Sequence, residues 1–251
     1  PIGFLTDAAS STVGSNLFFL WYWWQPICHG SHSVVILDKE LRDVFLLNAC
    51  IDRHAISVLD CITPSLLKVL CDTKLCLQNV SHVLVSGEGL PVKTASQCLA
   101  TFPACRLYNM FSTTETGDSA MVEITGDLLA TVTSKMCPIG RALFGVSLIV
   151  TDEDELIVAN TGACEYIGDP LATVAGFNAV GWKSKDKVVD CGDGLLVIQG
   201  RIDDCVKVRG FKIDLHAIEN EISLLGATGV AVANEEQIFV FVKNCSLTET
   251  E

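Results

Sequence analysis

The sequence predicts an α/β fold: a mostly parallel sheet with flanking helices plus an antiparallel section, then the start of a small α+β subdomain. Three observations carry this. Between about Ser33 and Asn109, short apolar runs alternate with stretches of helical periodicity, the pattern of strand–helix crossovers. After Asn109 strands follow strands, with Gly, Asp and Asn filling the gaps. Apolar residues make up 49% of the 251 residues and charged ones only 19%, below the usual share of about 25%. A sizeable core can therefore be buried, and a disordered chain is excluded.

In order, Ser33 to Leu37 reads as a buried strand, and Lys39 to His54 as a helix with Leu41, Val44, Phe45, Ala49 and Ile51 at helical spacing. Ala55 to Leu59 is the next strand. Thr63 is a good N-cap and Pro64 suits the first helical position, so a helix opens there. His82 to Val85 is a third strand, Pro91 to Thr101 a helix, and Cys105 to Tyr108 a fourth strand. Val146 to Thr151, Glu155 to Ala159 and Leu195 to Gln199 read as strands of the antiparallel section. Leu215 to Leu225 is a short amphipathic helix, followed by strands Gly229 to Ala233 and Gln237 to Val242. The texture changes near Asp203, so we expect a larger unit over residues 1–202 and the beginning of a smaller one over 203–251.

Seventeen basic residues against thirty acidic ones give a net charge of −13. Such a surface repels nucleic-acid phosphates, and no basic amphipathic stretch points to a membrane surface. The run Leu17 to Trp24 is closed by Gln25 and Pro26, too short for a span of about 20 residues. No basic region precedes it, which argues against a signal peptide. The Trp21-Tyr22-Trp23-Trp24 cluster reads as core or a domain contact. Twelve cysteines include no C-x-x-C pair; Cys28, Cys50, Cys61, Cys71, Cys98 and Cys105 fall in or beside apolar stretches and read as small core hydrophobes. A reducing, cytoplasmic setting follows most simply. Cys28-His29-x-x-His32 lacks a second ligand pair and is a weak metal candidate.

Three segments are chemically loaded. Val85-Ser86-Gly87-Glu88-Gly89-Leu90 has glycines that let backbone approach a flat ligand. Asn109 to Thr116, read as a loop, offers hydroxyls and backbone amides for phosphate oxygens, the Glu115 carboxylate for magnesium and the Phe111 ring for a base. Gly200 to Ile213 concentrates the basic residues of an acidic chain. Taken singly, these fit a plain turn, a Ser/Thr turn and a solvated charged hairpin.

In order and spacing the three resemble the core motifs of adenylate-forming enzymes, the superfamily of AMP-binding enzymes, and in particular the amino-acid adenylation domains of nonribosomal peptide synthetases. Asn109 to Glu115 resembles the pattern N-x-Y-G-P-T-E, and Gly200 to Ile213 resembles G-R-x-D-x-x-V-K-x-R-G-x-R-I almost throughout. Pro138-Ile139-Gly140-Arg141 is similar to P-I-G-R-P. Thr63 to Leu67 and Gly87 to Pro91 fall in family order, and Trp182 to Asp186 looks like a worn Y-R-T-G-D.

The resemblance implies that a carboxylic acid, most simply an amino acid, attacks the α-phosphate of ATP with magnesium, giving an acyl-adenylate. The acyl group then passes to the phosphopantetheine thiol of a carrier-protein domain. It implies Phe111 on the adenine, Thr114 at phosphate, Glu115 on magnesium, and Gly87, Glu88 and Asn109 around the nucleotide. Asp186 and Arg201 fall on the ribose side, Asp203 is the hinge of the small subdomain, and Lys207 lies in the loop that enters the site as the subdomain turns. Asp7 and Asp118 are candidate partners of a substrate amine. Cys61, Leu84, Ser86, Met110 and Ser119 line the substrate pocket beside them.

Two segments of the family pattern are not matched here: the Ser/Thr/Gly-rich phosphate loop and the catalytic lysine of the small subdomain. The chain is therefore expected to be a fragment, inactive alone. Ser112 and Lys185 replace glycines of the pattern, and Cys164 and Glu165 replace Arg and Gly. An acyl-CoA ligase of the same superfamily, or a degenerate domain kept as an interaction module, are the other readings of the same motifs.

Overall fold

The computed structural model describes residues 5–6, 28, 30–31, 34–36, 40, 43–74, 77–203, 205–208, 211–225, 227–233 and 237–243. The Leu17–Trp24 run, His29, His32 and Asp7 lie outside them.

Strands β1 (Leu5–Thr6) and β2 (Val34–Val35) pair in parallel. The predicted helix over Lys39–His54 is interrupted at Asp43. The Asp43 carboxylate accepts from the backbone N–H groups of Phe45 and Leu46 and so caps helix α1 (Val44–Arg53). The expected strand Ala55–Leu59 is displaced. Ala55 adopts a left-handed φ of 49°, and the Ile56 N–H returns to the Ile51 carbonyl. The helix thus ends in a closed cap, and strand β3 begins only at Val58 (Val58–Ile62).

Helix α2 (Pro64–Thr73) starts as expected, with the Thr63 hydroxyl accepting from Leu66 N–H and proline in the first turn. Strand β4 (His82–Val85), helix α3 (Val92–Thr101) and strand β5 (Arg106–Thr113) follow. Strands β3, β4 and β5 run parallel, with Leu59 beside Val83 and Val83 beside Leu107. One core fills the space between these strands and helices α1 to α3. It includes Leu47, Ile51, Leu67, Leu70, Val83 and Leu107, none with any exposed surface. Cys50, Cys71, Cys98 and Cys105 are buried in it as the sequence predicts, and Cys137 joins them. Cys28 does not; it is exposed.

The segment read as a loop after Tyr108 is strand. β5 runs on to Thr113, turns at Thr114–Thr116, and returns as β6 (Gly117–Ile124), antiparallel to it. Helix α4 (Gly126–Thr131) leads to the short strand β7 (Arg141–Ala142), the last of the five in the order β3-β4-β5-β6-β7. A second, four-stranded antiparallel sheet contains β8 (Ser147–Val150), β9 (Glu155–Ala159), β10 (Trp182–Asp190) and β11 (Leu196–Arg201), with helix α5 (Pro170–Gly176) between β9 and β10. Its core joins Phe111, Ala120, Ile139, Leu156, Val158, Trp182 and Leu196. The hairpin β12 (Cys205–Val208) and β13 (Phe211–Asp214) precedes helix α6 (Leu215–Leu224) and the hairpin β14 (Thr228–Ala233) and β15 (Ile238–Lys243). Among the described residues no helix is long and apolar enough to cross a membrane.

The two sheets are stitched at Ile139–Gly140. Ile139 N–H donates to the Leu196 carbonyl at 2.8 Å, and Leu196 N–H to the Gly140 carbonyl at 3.4 Å. Gly140 has φ +96°, and a Cβ there would stand 2.1 Å from the Met121 carbonyl oxygen of β6. Both the dihedral and the contact demand glycine. Gly140→Ala is expected to destabilise the fold by about 3 kcal/mol or more, read as a fall in the urea midpoint.

Candidate active site

A cleft of about 790 Å³ opens where β5, the loop after β4 and the β10–β11 pair converge. It is lined by Gly87, Glu88, Asn109, Met110, Phe111, Asp186 and Arg201, which the sequence distributes over more than a hundred residues. Its wall also includes Ser65, Leu66 and Lys68 of α2, Ser112 of β5, Ile198 to Gly200 of β11, and Cys205 and Val206 of β12. The parallel strands β3 and β4 deliver their carboxyl ends here, where open α/β sheets bind ligands.

Each side chain is fixed by a local cause. Gly87 holds a left-handed φ of +87°, a Cβ there would stand 3.9 Å from the Thr63 methyl, and the residue lines the cleft with its backbone. Glu88 accepts from the Ser65 hydroxyl at 2.6 Å and the Ser65 N–H at 3.3 Å, placing a carboxylate at the positive start of α2. Its other oxygen is buried and has no partner among the described residues. Asn109 is 3% exposed, and its amide donates to the Pro138 carbonyl at 2.7 Å. Phe111 packs in the second core and presents its remaining surface to the cleft.

On the opposite wall Arg201 is held by two carboxylates. It binds Asp203 through two parallel contacts of 2.6 and 2.9 Å, and Asp186 through one of 2.9 Å. Asp186 and Arg201 face each other across the β10–β11 ladder. The predicted hinge residue therefore grips the same arginine as the predicted ribose carboxylate. Burial works against the charge of Arg201, yet the two acids raise its pKa overall.

Glu115 sits in the β5–β6 turn, half-buried, and Thr114 beside it is exposed. One Glu115 oxygen, Oε1, accepts from the Tyr166 hydroxyl at 3.1 Å. No cation among the described residues pairs with it. A half-buried carboxylate with an oxygen to spare fits a divalent cation such as Mg²⁺, which takes hard oxygen ligands.

Ser86 and Met110 are buried, while Cys61 and Asp118 are half-buried; of these four only Met110 lines the cleft. Sequence reasoning singled out Cys61 and passed over its neighbour. Asp60 is 6% exposed, and its pKa is raised to about 6 by burial first and by the Asp118 carboxylate second. Asp118 is itself raised by burial, with the Ser112 hydroxyl opposing. The available signal was an acid in the apolar run Val58–Ile62. Lys207 lies in β12, paired with Lys212.

A family model described as AMP-binding enzyme matches residues 14–164, more than half of the chain. The chain belongs to that family. The D-alanine–D-alanyl carrier protein ligase of Lactococcus lactis subsp. lactis (strain IL1403) is 39% identical over 147 residues, covering 57% of this chain and 29% of that protein. The solved structure of IdnL1 aligns with 99% of this chain and 56% of its own at a TM-score of 0.85 and 20% identity. PA1221, an NRPS protein containing adenylation and PCP domains, aligns with 96% of this chain and 45% of its own at a TM-score of 0.77 and 22% identity. The architecture is thus that of adenylate-forming enzymes. The chain spans under a third of the ligase's length and about half of each of these structures.

Membership also explains one departure. Lys185, where the family pattern has glycine, carries a left-handed φ of 64°. Its N–H is held by Glu155 at 3.2 Å and its carbonyl by Ile202 N–H at 2.7 Å, so the bulge in β10 imposes the conformation. Lys185→Gly is expected to stabilise the fold by about 0.5–1 kcal/mol, measured by urea unfolding.

The Asp60 shift carries a second prediction. Because its folded pKa is raised, the folded state holds a proton that the unfolded state releases, and stability falls as pH rises from about 4 to about 6. Asp60→Asn removes that penalty. The variant is expected to gain up to about 3 kcal/mol on the parent at pH 8 relative to their difference at pH 4, read from paired unfolding curves.

Proposed function

We propose that the cleft binds ATP and that the protein activates a carboxylic acid, an amino acid in the first instance, as an acyl-adenylate for the phosphopantetheine thiol of a carrier-protein domain. The observation behind this reading is the convergence of Gly87, Glu88, Asn109, Phe111, Asp186 and Arg201 on one cleft. The name of the ligase relative, which acts on D-alanine and a D-alanyl carrier protein, supports the same direction.

In this reading Phe111 stacks on the adenine and the backbone at Gly87 lies against its edge. Asp186 accepts from the ribose hydroxyls, held in register by Arg201. Thr114 donates to phosphate. The substrate carboxylate oxygen attacks the α-phosphorus, and the bond to pyrophosphate breaks. Glu115 would hold Mg²⁺, which supplies charge neutralisation for the phosphates. The catalytic demand is electrostatic, because negative charge spreads over the transferred group.

Asp203 would serve as the hinge between a unit of residues 1–202 and one of residues 203–251. Freeing it from Arg201 exchanges a two-point ion pair for solvent, and Arg201 keeps Asp186 meanwhile. Turning about this point would bring Lys207 toward the cleft, so that one site serves two half-reactions.

The test is substrate-dependent ATP–pyrophosphate exchange by the full-length protein containing these residues, with a panel of amino acids and simple carboxylic acids. Exchange with one amino acid is expected, reduced about 10²-fold or more by Glu115→Ala. Exchange only with a non-amino acid would overturn the amino-acid assignment, and none from a folded protein would overturn adenylation.

A further inference from the structure

We propose that Tyr166 is a positioning residue for Glu115: its hydroxyl, directed by the Trp182 indole, fixes the carboxylate so that one oxygen is kept for the divalent cation. The inference rests on the reading of Glu115 as the cation's ligand and adds how that ligand is aimed.

The direction of the hydrogen-bond chain follows from donor chemistry. Trp182 Nε1 lies 3.1 Å from the Tyr166 hydroxyl oxygen. An indole N–H can only donate, so it occupies a lone pair of that oxygen. The single phenolic hydrogen is then left for Glu115 Oε1, also at 3.1 Å. The chain therefore runs Trp182 to Tyr166 to Glu115, each bond polarising the next.

The ring is held by helix α5 and the residue that follows it. Tyr166 N–H donates to the Thr173 hydroxyl at 2.9 Å, and the ring meets Phe177 edge-on at 5.5 Å between centroids. Gly176 makes the room: a Cβ there would stand 2.8 Å from the Tyr166 ring. Helix α5 thus sets the ring, β10 sets the indole, and together they locate a carboxylate on the β5–β6 turn 51 residues earlier in the chain. A free glutamate on a turn samples several rotamers; an anchored one presents its second oxygen at a fixed place, as outer-shell partners do at metal sites.

The experiment titrates Mg²⁺ at a fixed concentration of α,β-methylene-ATP with the full-length protein and follows nucleotide binding calorimetrically. Tyr166→Phe keeps the ring and removes the hydroxyl. It is expected to raise the half-saturating Mg²⁺ about ten-fold, with the melting temperature and the metal-free nucleotide affinity unchanged. Pyrophosphate exchange recovers at high Mg²⁺. Gly176→Ala, which displaces the ring without touching its chemistry, should shift Mg²⁺ dependence the same way. An unaltered Mg²⁺ curve for Tyr166→Phe, when Glu115→Gln shifts it, would overturn the positioning role alone. An unaltered curve for Glu115→Gln would overturn the reading beneath it. Equal losses of melting temperature and metal-free binding in Tyr166→Phe would reduce the residue to a packing role.

Discussion

Asn109 donates its side-chain amide to the Pro138 carbonyl at 2.7 Å, out of contact with water, and the rest of the cleft is arranged around that bond. Strand β5 belongs to two cores: Leu107 lies in the first and Phe111 in the second. Between them the parallel pairing with β4 ends at Asn109, while the antiparallel pairing with β6 on the other edge runs on to Thr113. Pro138 precedes the Ile139–Gly140 stitch to β11, so a single amide ties the carboxyl end of the parallel sheet to the wall carrying Arg201. An unmade hydrogen bond at such a depth costs about 1–3 kcal/mol, which makes the arrangement self-enforcing.

Electrostatics sharpen the same geometry. A chain of net charge −13 presents a poor average field to a polyphosphate. The cleft answers locally rather than globally. Backbone at Gly87 and the Ser112 hydroxyl carry no charge to repel, Glu88 is turned onto Ser65 at a helix start, and Arg201 is paired with two carboxylates. Two carboxylates on one guanidinium leave that wall net acidic. Such a wall is suited to accepting hydrogen bonds from hydroxyl groups rather than to binding phosphate.

The parts of this design visible in the sequence are those set by local rules. Thr63-Pro64 announces a helix start, and β4 and α3 follow from periodicity alone. The misplaced strand at Ala55–Leu59 shows the limit: Ala55 carries no mark of its left-handed cap, which only the returning Ile56 N–H reveals. The hydroxyl-rich end of β5 reads as loop because Ser and Thr favour turns. Pairing with β6 overrides that preference. Cleft residues were legible through their motif, since spacing survives without knowledge of packing. Asp60 was not, because burial beside Asp118 is a tertiary fact about two strands that do not pair directly.

Tyr166 belongs to the same class of hidden residue, and its case shows why. Nothing within ten positions of Tyr166 signals Glu115; the link needs β9, α5 and β10 to be folded first. The neighbouring Cys164 and Glu165 depart from the family pattern and are exposed, whereas the tyrosine between them and α5 is half-buried, its hydroxyl bonded to Trp182 and Glu115 and its backbone N–H to Thr173. Cys164 and Glu165 thus depart where the chain meets solvent, whereas the other two departures, Ser112 and Lys185, are half-buried, and Ser112 lines the cleft.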